Sequence, residues 1–451
     1  MLAREKTRRL LKQLIPCAAA AVMLTLTAGP AYSSVPAGHP AQAAGRTAAP
    51  VPRPHGAKGT YSCRPGTPGS SVASRCVRVR PISAGQLNAA DRGRRHAALA
   101  QVAAEAKAKK SPLVISALPL RRAPASAGAI TPPTQCGFGS LVNFAPDRFT
   151  ACGDQTWELD DIQIDSDGTT TVVGFMEMED LQWFSYSATS ETWAHDLLMM
   201  SYTGDGTLAD GFDAEISSAC DANPAVCVAF PPGTPDPQTV AVTPESSYEF
   251  SWTEQDQGPG LTTPNGVTEL YGYTGVNFEG STPVGGPWTF SDGSFGGRCD
   301  SVATAADGCI DDEYVPTVIF DSTANPAVAP VAQHIYDAQN GGLITAWGVD
   351  PSLHSNGAYL SRDMNPADNT ANNRAACGSV TVPPGSNCDE FPMASTYEGA
   401  AFNSDYSVAI VPSSANSSQG GILGNFYSSN RVIDNDLFMV VSVLPNGTAS
   451  W

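Results

Sequence analysis

The chain has 451 residues, with 25 Lys/Arg against 44 Asp/Glu and a formal net charge of −19 at pH 7. That length admits two or three domains, and so acidic a balance argues against a protein that grips nucleic acid through a broad basic surface. The charge is also segregated: of the 25 basic residues only 5, and of the 44 acidic residues 41, lie in 131–451.

Residues 1–33 read as a secretory signal. Arg4, Lys6, Arg8, Arg9 and Lys12 precede a short apolar core from Cys17 to Ala28, and Ala31-Tyr32-Ser33 supplies small residues for cleavage. The apolar run is too short to span a bilayer, so export and no membrane anchor are expected. Residues 34–129 are rich in Ala, Pro, Arg and Ser and poor in aromatics, as expected of a disordered basic segment or pro-region. Within it, Leu87 to Lys110 is an Ala-rich helix candidate. A basic arm of this kind also suits contact with the acidic body.

Ten cysteines remain outside the signal, in five sets of near neighbours: Cys63/Cys76, Cys136/Cys152, Cys220/Cys227, Cys299/Cys309 and Cys377/Cys388. An even count in an exported chain implies disulfides, and local pairing is the simplest connectivity. No C-x-x-C spacing occurs, which disfavours a zinc site.

Residues 130–311 hold short β-prone runs, among them 169–176, 181–186, 239–242 and 248–252, separated by Gly, Asp and Pro clusters. This is the pattern of an all-β sandwich, here of unknown ligand. Trp157, Trp183, Trp193 and Trp252 suit either core packing or a sugar platform, and Asp165–Gly168 either a plain turn or a calcium loop.

Residues 312–451 read as a small α+β domain. Val315–Phe320 is a strand, and Val331–Gln339 a helix carrying His334 at an apolar spacing. Tyr406–Val411 is a strand, Ser417–Tyr427 a short helix and Leu437–Leu444 a closing strand. His334 is therefore either a core histidine or a base.

The most informative run is Cys388-Asp389-Glu390-Phe391-Pro392-Met393-Ala394, followed by Glu398-Gly399. Adjacent carboxylates among apolar neighbours are costly unless a cation or a proton uses them. Farther on, Asn416, Gly420, Gly424 and Asn425 fall at the start and along the face of the expected helix. Together these residues resemble the NucA/NucB family of secreted bacterial deoxyribonucleases. The likeness is best between Arg374 and Val443. Two positions depart from the family pattern: Ala400 stands where a second glycine is usual, and Ala415 where an acid often precedes the asparagine.

The resemblance implies a domain of ββα-metal nuclease type and hydrolysis of DNA with little sequence preference. It implies Asp389 as general base with Glu390 beside it, Asn416 holding Mg²⁺ or Mn²⁺, and Arg374, Gln419 and Arg431 as substrate contacts. Because side chains alternate faces on a strand, Asp389 and Glu390 serve one site only across a bulge or with Glu390 acting indirectly, from behind the residues that touch substrate. The alternative is a non-catalytic surface or carbohydrate-binding protein carrying a degenerate nuclease module, a reading favoured by the scarcity of basic residues.

Overall fold

The computed structural model describes residues 60–82, 132–133, 136, 144–220, 227–230, 237–258, 265–270, 275–292, 295–304 and 306–450. The chain divides into two compact units, 1–47 and 48–451, and every described residue belongs to the second. The expected signal (1–33) and the expected 87–110 helix lie outside the described residues.

The first two strands are β1 (Thr60–Pro65) and β2 (Val72–Ile82). β3 (Phe144–Asp147), β4 (Thr150–Asp165), β5 (Thr170–Ser185) and β6 (Thr192–Gly206) follow. Next come β7 (Phe212–Ala219), β8 (Cys227–Phe230), β9 (Gln238–Val242) and β10 (Ser246–Asp256). β11 (Val267–Leu270), β12 (Gly275–Thr282), β13 (Gly286–Asp292), β14 (Gly297–Asp300) and β15 (Gly308–Ile310) complete this region.

An eight-stranded antiparallel sheet, in the order β1-β2-β4-β5-β6-β10-β8 with β3 on β4, curls into a half-barrel. Its inner face shares a core with the four-stranded sheet β13-β12-β7-β9. Val79, Trp157, Met178 and Phe250 from the first meet Ile216, Val240, Phe278 and Phe290 from the second. Alternating residues of each strand face inward, which is why the β-prone runs were legible. The runs 169–176 and 181–186, expected as separate strands, form one strand, β5. Trp157, Trp183, Trp193 and Trp252 are all buried, so they are core and not a sugar platform. Asp165–Gly168 is the β4–β5 turn, with Gly168 donating to the Asp165 carbonyl.

Residues 60–82 correct the expectation of a structureless 34–129 segment. β2 buries Val77 and Val79 on one face, while on the other Arg78 and Arg80 pair with Asp160 (2.5 Å) and Glu158 (2.6 Å) of β4. A strand rich in arginine and proline cannot order itself alone; its neighbour supplies both the apolar face and the counter-charges. All five disulfides pair as expected: Cys63–Cys76, Cys136–Cys152, Cys220–Cys227, Cys299–Cys309 and Cys377–Cys388.

The C-terminal region starts with β16 (Thr317–Asp321) and α1 (Ala329–Asp337). Three two-residue strands follow, β17 (Ala346–Trp347), β18 (Gly357–Ala358) and β19 (Leu360–Ser361), then α2 (Pro366–Cys377). β20 (Ser386–Phe391), β21 (Ser407–Pro412), α3 (Ser413–Ser429) and β22 (Leu437–Val443) end the fold. β22 lies between β16 and β19, and β20 pairs antiparallel with β21 as a separate hairpin. α1 and α3 pack into one core with these strands, including Phe320, Ile335, Phe391, Leu423, Phe426 and Phe438.

α3 is longer than expected and starts four residues earlier. Gly420, Gly421 and Gly424 weaken it by roughly 1 kcal/mol each relative to alanine. Its buried face, Ala415, Gln419, Leu423 and Phe426, recurs at helical spacing and holds it against the hairpin and α1.

Candidate active site

β20 and β21 pair without a register break, Asp389 opposite Ala409 and Phe391 opposite Ser407. The ladder therefore has no bulge, and the two carboxylates of the motif point to opposite faces. Asp389 shares a face with buried Phe391, toward α1 and α3. Glu390 faces α2, where Asn373 Nδ2 donates to its Oε1 at 3.2 Å. Burial raises the Glu390 carboxyl above its usual range, the Asn373 bond opposes this, and the nearby Asp389 charge adds to it. The unbroken strand rules out the bulge, so Glu390 does not reach the Asp389 face directly.

Asp389 is only 2% exposed. His334 of α1 donates from Nδ1 to its Oδ2 at 2.7 Å, and the other ring nitrogen, Nε2, lies 2.9 Å from Ser407 Oγ on β21. The second carboxylate oxygen, Oδ1, makes no hydrogen bond to a described residue and is not sealed from solvent. One oxygen of the candidate base is tied down, and the other is left for water.

β21 runs directly into α3, so the helix start is placed by the strand opposite Asp389. Asn416 is the fourth helical residue and half-buried, not the N-cap, which is Pro412. Gln419, one turn on, is on the buried face of α3 that packs against the hairpin, the face toward which Asp389 also points. Neither amide side chain hydrogen-bonds to a described residue. Asn416 and Gln419 are three apart and neighbours on the helix surface.

Arg374 sits exposed in the last turn of α2, with no carboxylate partner among the described residues. Arg431 is different and corrects its assignment as a substrate contact. It is fully buried, and its guanidinium is consumed by Asp300 (Nη2–Oδ1 2.8 Å, Nε–Oδ2 3.1 Å) and the Ala188 and Ala306 carbonyls. Nothing of it remains for a ligand. Arg148 and Arg298 join the same junction, both binding Asp436 at 2.5 Å. Of the five basic residues in 131–451, then, three are structural, leaving Arg362 and Arg374.

Arg362 went unnoticed in the sequence, although cations are so few that each one there was a signal. It lies 3.6 Å over the Tyr427 ring, whose hydroxyl is 3.0 Å from Ser395 Oγ in the acidic motif's loop. Ser407 was also missed; neither its residue type nor its spacing marks it. Glu398 is not a solvated acid: it accepts from the Ser361 backbone N–H (2.9 Å) and hydroxyl (2.6 Å), and burial raises its carboxyl.

The only group of three His, Cys, Asp or Glu residues close enough to hold a metal among the described residues is Cys220, Cys227 and Glu254. Its two cysteines are a disulfide, so it is no ion site. No helix among the described residues is long and apolar enough to cross a membrane.

No curated protein matches the chain. Residues 352–441 match the family model described as Deoxyribonuclease NucA/NucB, a stretch that contains Arg374, Asp389, Glu390, Asn416, Gln419 and Arg431 but not His334. The likeness to NucA/NucB deoxyribonucleases is thus confined to residues 352–441, in the C-terminal part of the chain.

Proposed function

We propose that this chain is an exported, metal-dependent endonuclease that hydrolyses DNA phosphodiester bonds with little sequence preference. The observation that carries the reading is the free Oδ1 of Asp389, on a hairpin that leads straight into the helix bearing Asn416 and Gln419. This succession of two strands and a helix is what a ββα-metal site requires, and it lies inside the matched family segment. The five disulfides agree with an oxidising, extracellular destination.

The donors fit a hard divalent cation. Asn416 and Gln419 offer amide oxygens without a partner among the described residues, of the type that suits Mg²⁺ or Mn²⁺. No cage of carboxylates is assembled, so a cation here would keep most of its water. Asn416 would hold it. When bound, such an ion supplies positive charge to the phosphate oxygens and the leaving oxygen.

Asp389 Oδ1 accepts a proton from the attacking water, and Oδ2 stays on His334. Arg374, exposed and unpaired, neutralises a neighbouring phosphate. Contacts of this kind read backbone charge and not base identity, hence the low sequence preference. The non-catalytic alternative rested on the shortage of cations; a divalent ion and the exposed Arg374 answer it.

The test is degradation of plasmid DNA by the full chain across Mg²⁺, Mn²⁺, Ca²⁺ and chelator, beside Asp389→Asn. The reading requires cleavage that chelator abolishes and the variant lacks. A variant that cuts as well as the parent chain removes Asp389 from the mechanism.

A further inference from the structure

The geometry points to His334 as a positioning residue for Asp389, with Ser407 holding the far side of its ring. This assignment rests on the proposed role of Asp389. His334 comes from α1, outside the matched family segment, and reaches the hairpin from the opposite side to α2. Its side chain is buried and held at both nitrogens, by Asp389 Oδ2 at 2.7 Å and by Ser407 Oγ at 2.9 Å.

A neutral imidazole has one donor and one acceptor nitrogen. With a carboxylate against Nδ1, the proton belongs there, and the Ser407 hydroxyl then donates to Nε2. The carboxylate thus fixes the tautomer that donates to it, and the hydroxyl, donating to Nε2, holds the ring against rotation. Two consequences follow for Asp389. Its χ2 rotation is stopped, so Oδ1 and not Oδ2 meets the water. Its Oδ2 lone pair is also occupied by a donor, so that oxygen is not the one presented to the water. A half-free carboxylate in this otherwise apolar layer, beside Phe391 and Val411, would have neither constraint.

A merely structural histidine would make the same contacts, so the readout must separate orientation from folding. The experiment measures kcat, KM and melting temperature of the full chain for His334→Asn, His334→Gln, Ser407→Ala and Asp389→Asn. An asparagine amide nitrogen occupies about the position of Nδ1 and keeps the bond to Asp389, whereas a glutamine amide nitrogen occupies about that of Nε2 and keeps only the Ser407 side.

His334→Gln is expected to lose kcat by on the order of 100-fold with KM unchanged. His334→Asn should recover to within roughly 10-fold of the parent, and Ser407→Ala should fall between them. The assignment is overturned if His334→Gln keeps parental kcat. It is equally overturned if Asn and Gln lose the same amount, or if the losses follow melting temperature alone. Should His334→Gln fail to fold, the Asn and Ser407→Ala variants decide: parental kcat in Ser407→Ala, or no activity in a folded His334→Asn, rejects it. A fully active Asp389→Asn overturns the base assignment as well; an inactive one beside a parental His334→Gln overturns this assignment alone.

Discussion

Arg431 and Asp300, 131 residues apart, form a double-contact ion pair with both side chains fully out of water. Arg298 adds a bond to the Arg431 carbonyl at 2.6 Å, and Arg148 and Arg298 both clasp Asp436. The boundary expected near residue 311 is therefore crossed by a buried network of three arginines and two aspartates. Removing one partner of such a network leaves an uncompensated charge in the interior.

Arg431→Ala is expected to destabilise the chain by about 3–5 kcal/mol. Urea unfolding of parent and variant checks it. Asp300 would be stranded, so Arg431→Ala with Asp300→Asn should recover part of the loss.

Stability should fall as pH rises from about 4.5 toward neutrality. Burial raises Glu269 to about 7, with Asp312 as a second cause, and raises Asp311, Asp312 and Glu313 as well. A carboxyl whose folded value exceeds its unfolded one binds protons more tightly when folded, so the folded state is favoured at low pH. For Glu269 that advantage is lost between about 4.5 and about 7. The melting temperature is therefore expected to be higher at pH 5 than at pH 7.5, and Glu269→Gln should flatten the difference. An increase in melting temperature across this interval would contradict the sign.

Cleavage should depend weakly on monovalent salt. Only Arg362 and Arg374 of the five cations in 131–451 are free of the Asp300–Asp436 junction. Two phosphate contacts give a log–log slope of about −2 at most, far below that of a basic DNA-binding surface. KM measured from 50 to 200 mM NaCl at fixed Mg²⁺ tests this. Arg374→Ala is expected to raise KM about 3–10-fold while leaving kcat alone, the behaviour of a contact equal in ground and transition states.

Gly421→Ala should stabilise the chain by about 0.5–1 kcal/mol. Gly421 is exposed on α3, and a Cβ there would meet nothing within 4 Å. Thermal melting measures the gain; no gain would show that the helix is held wholly by its buried face.

Much of this was legible in the residues. The period-2 runs gave the strands, the cysteine spacing gave all five bridges, and the acidic motif located the hairpin. α2 was not foreseen because Pro366–Cys377 carries almost no apolar periodicity. Its ends were nevertheless written: Asn365 caps Ala367 N–H at 3.0 Å, Pro366 follows, and Gly378 stands just past the last residue. Asn416 was expected before its helix and lies inside it, since Ser413 and Ser414 extend a helix that packing, not propensity, sustains. Arg431 was misread for a deeper reason. A cation near a nuclease motif and a cation in a buried ion pair look alike until the partner, far off in sequence, is known.

The Cys377–Cys388 bridge has a further bearing, because Cys388 is the immediate neighbour of Asp389. It tethers α2, with Arg374 and Asn373, to the strand that carries Asp389. In a reducing cytosol that tether is open, and the hairpin loses its covalent hold on the helix. The mutual placement of the exposed Arg374 and the buried Asp389 is therefore redox-dependent, firm only where the two sulfurs are joined.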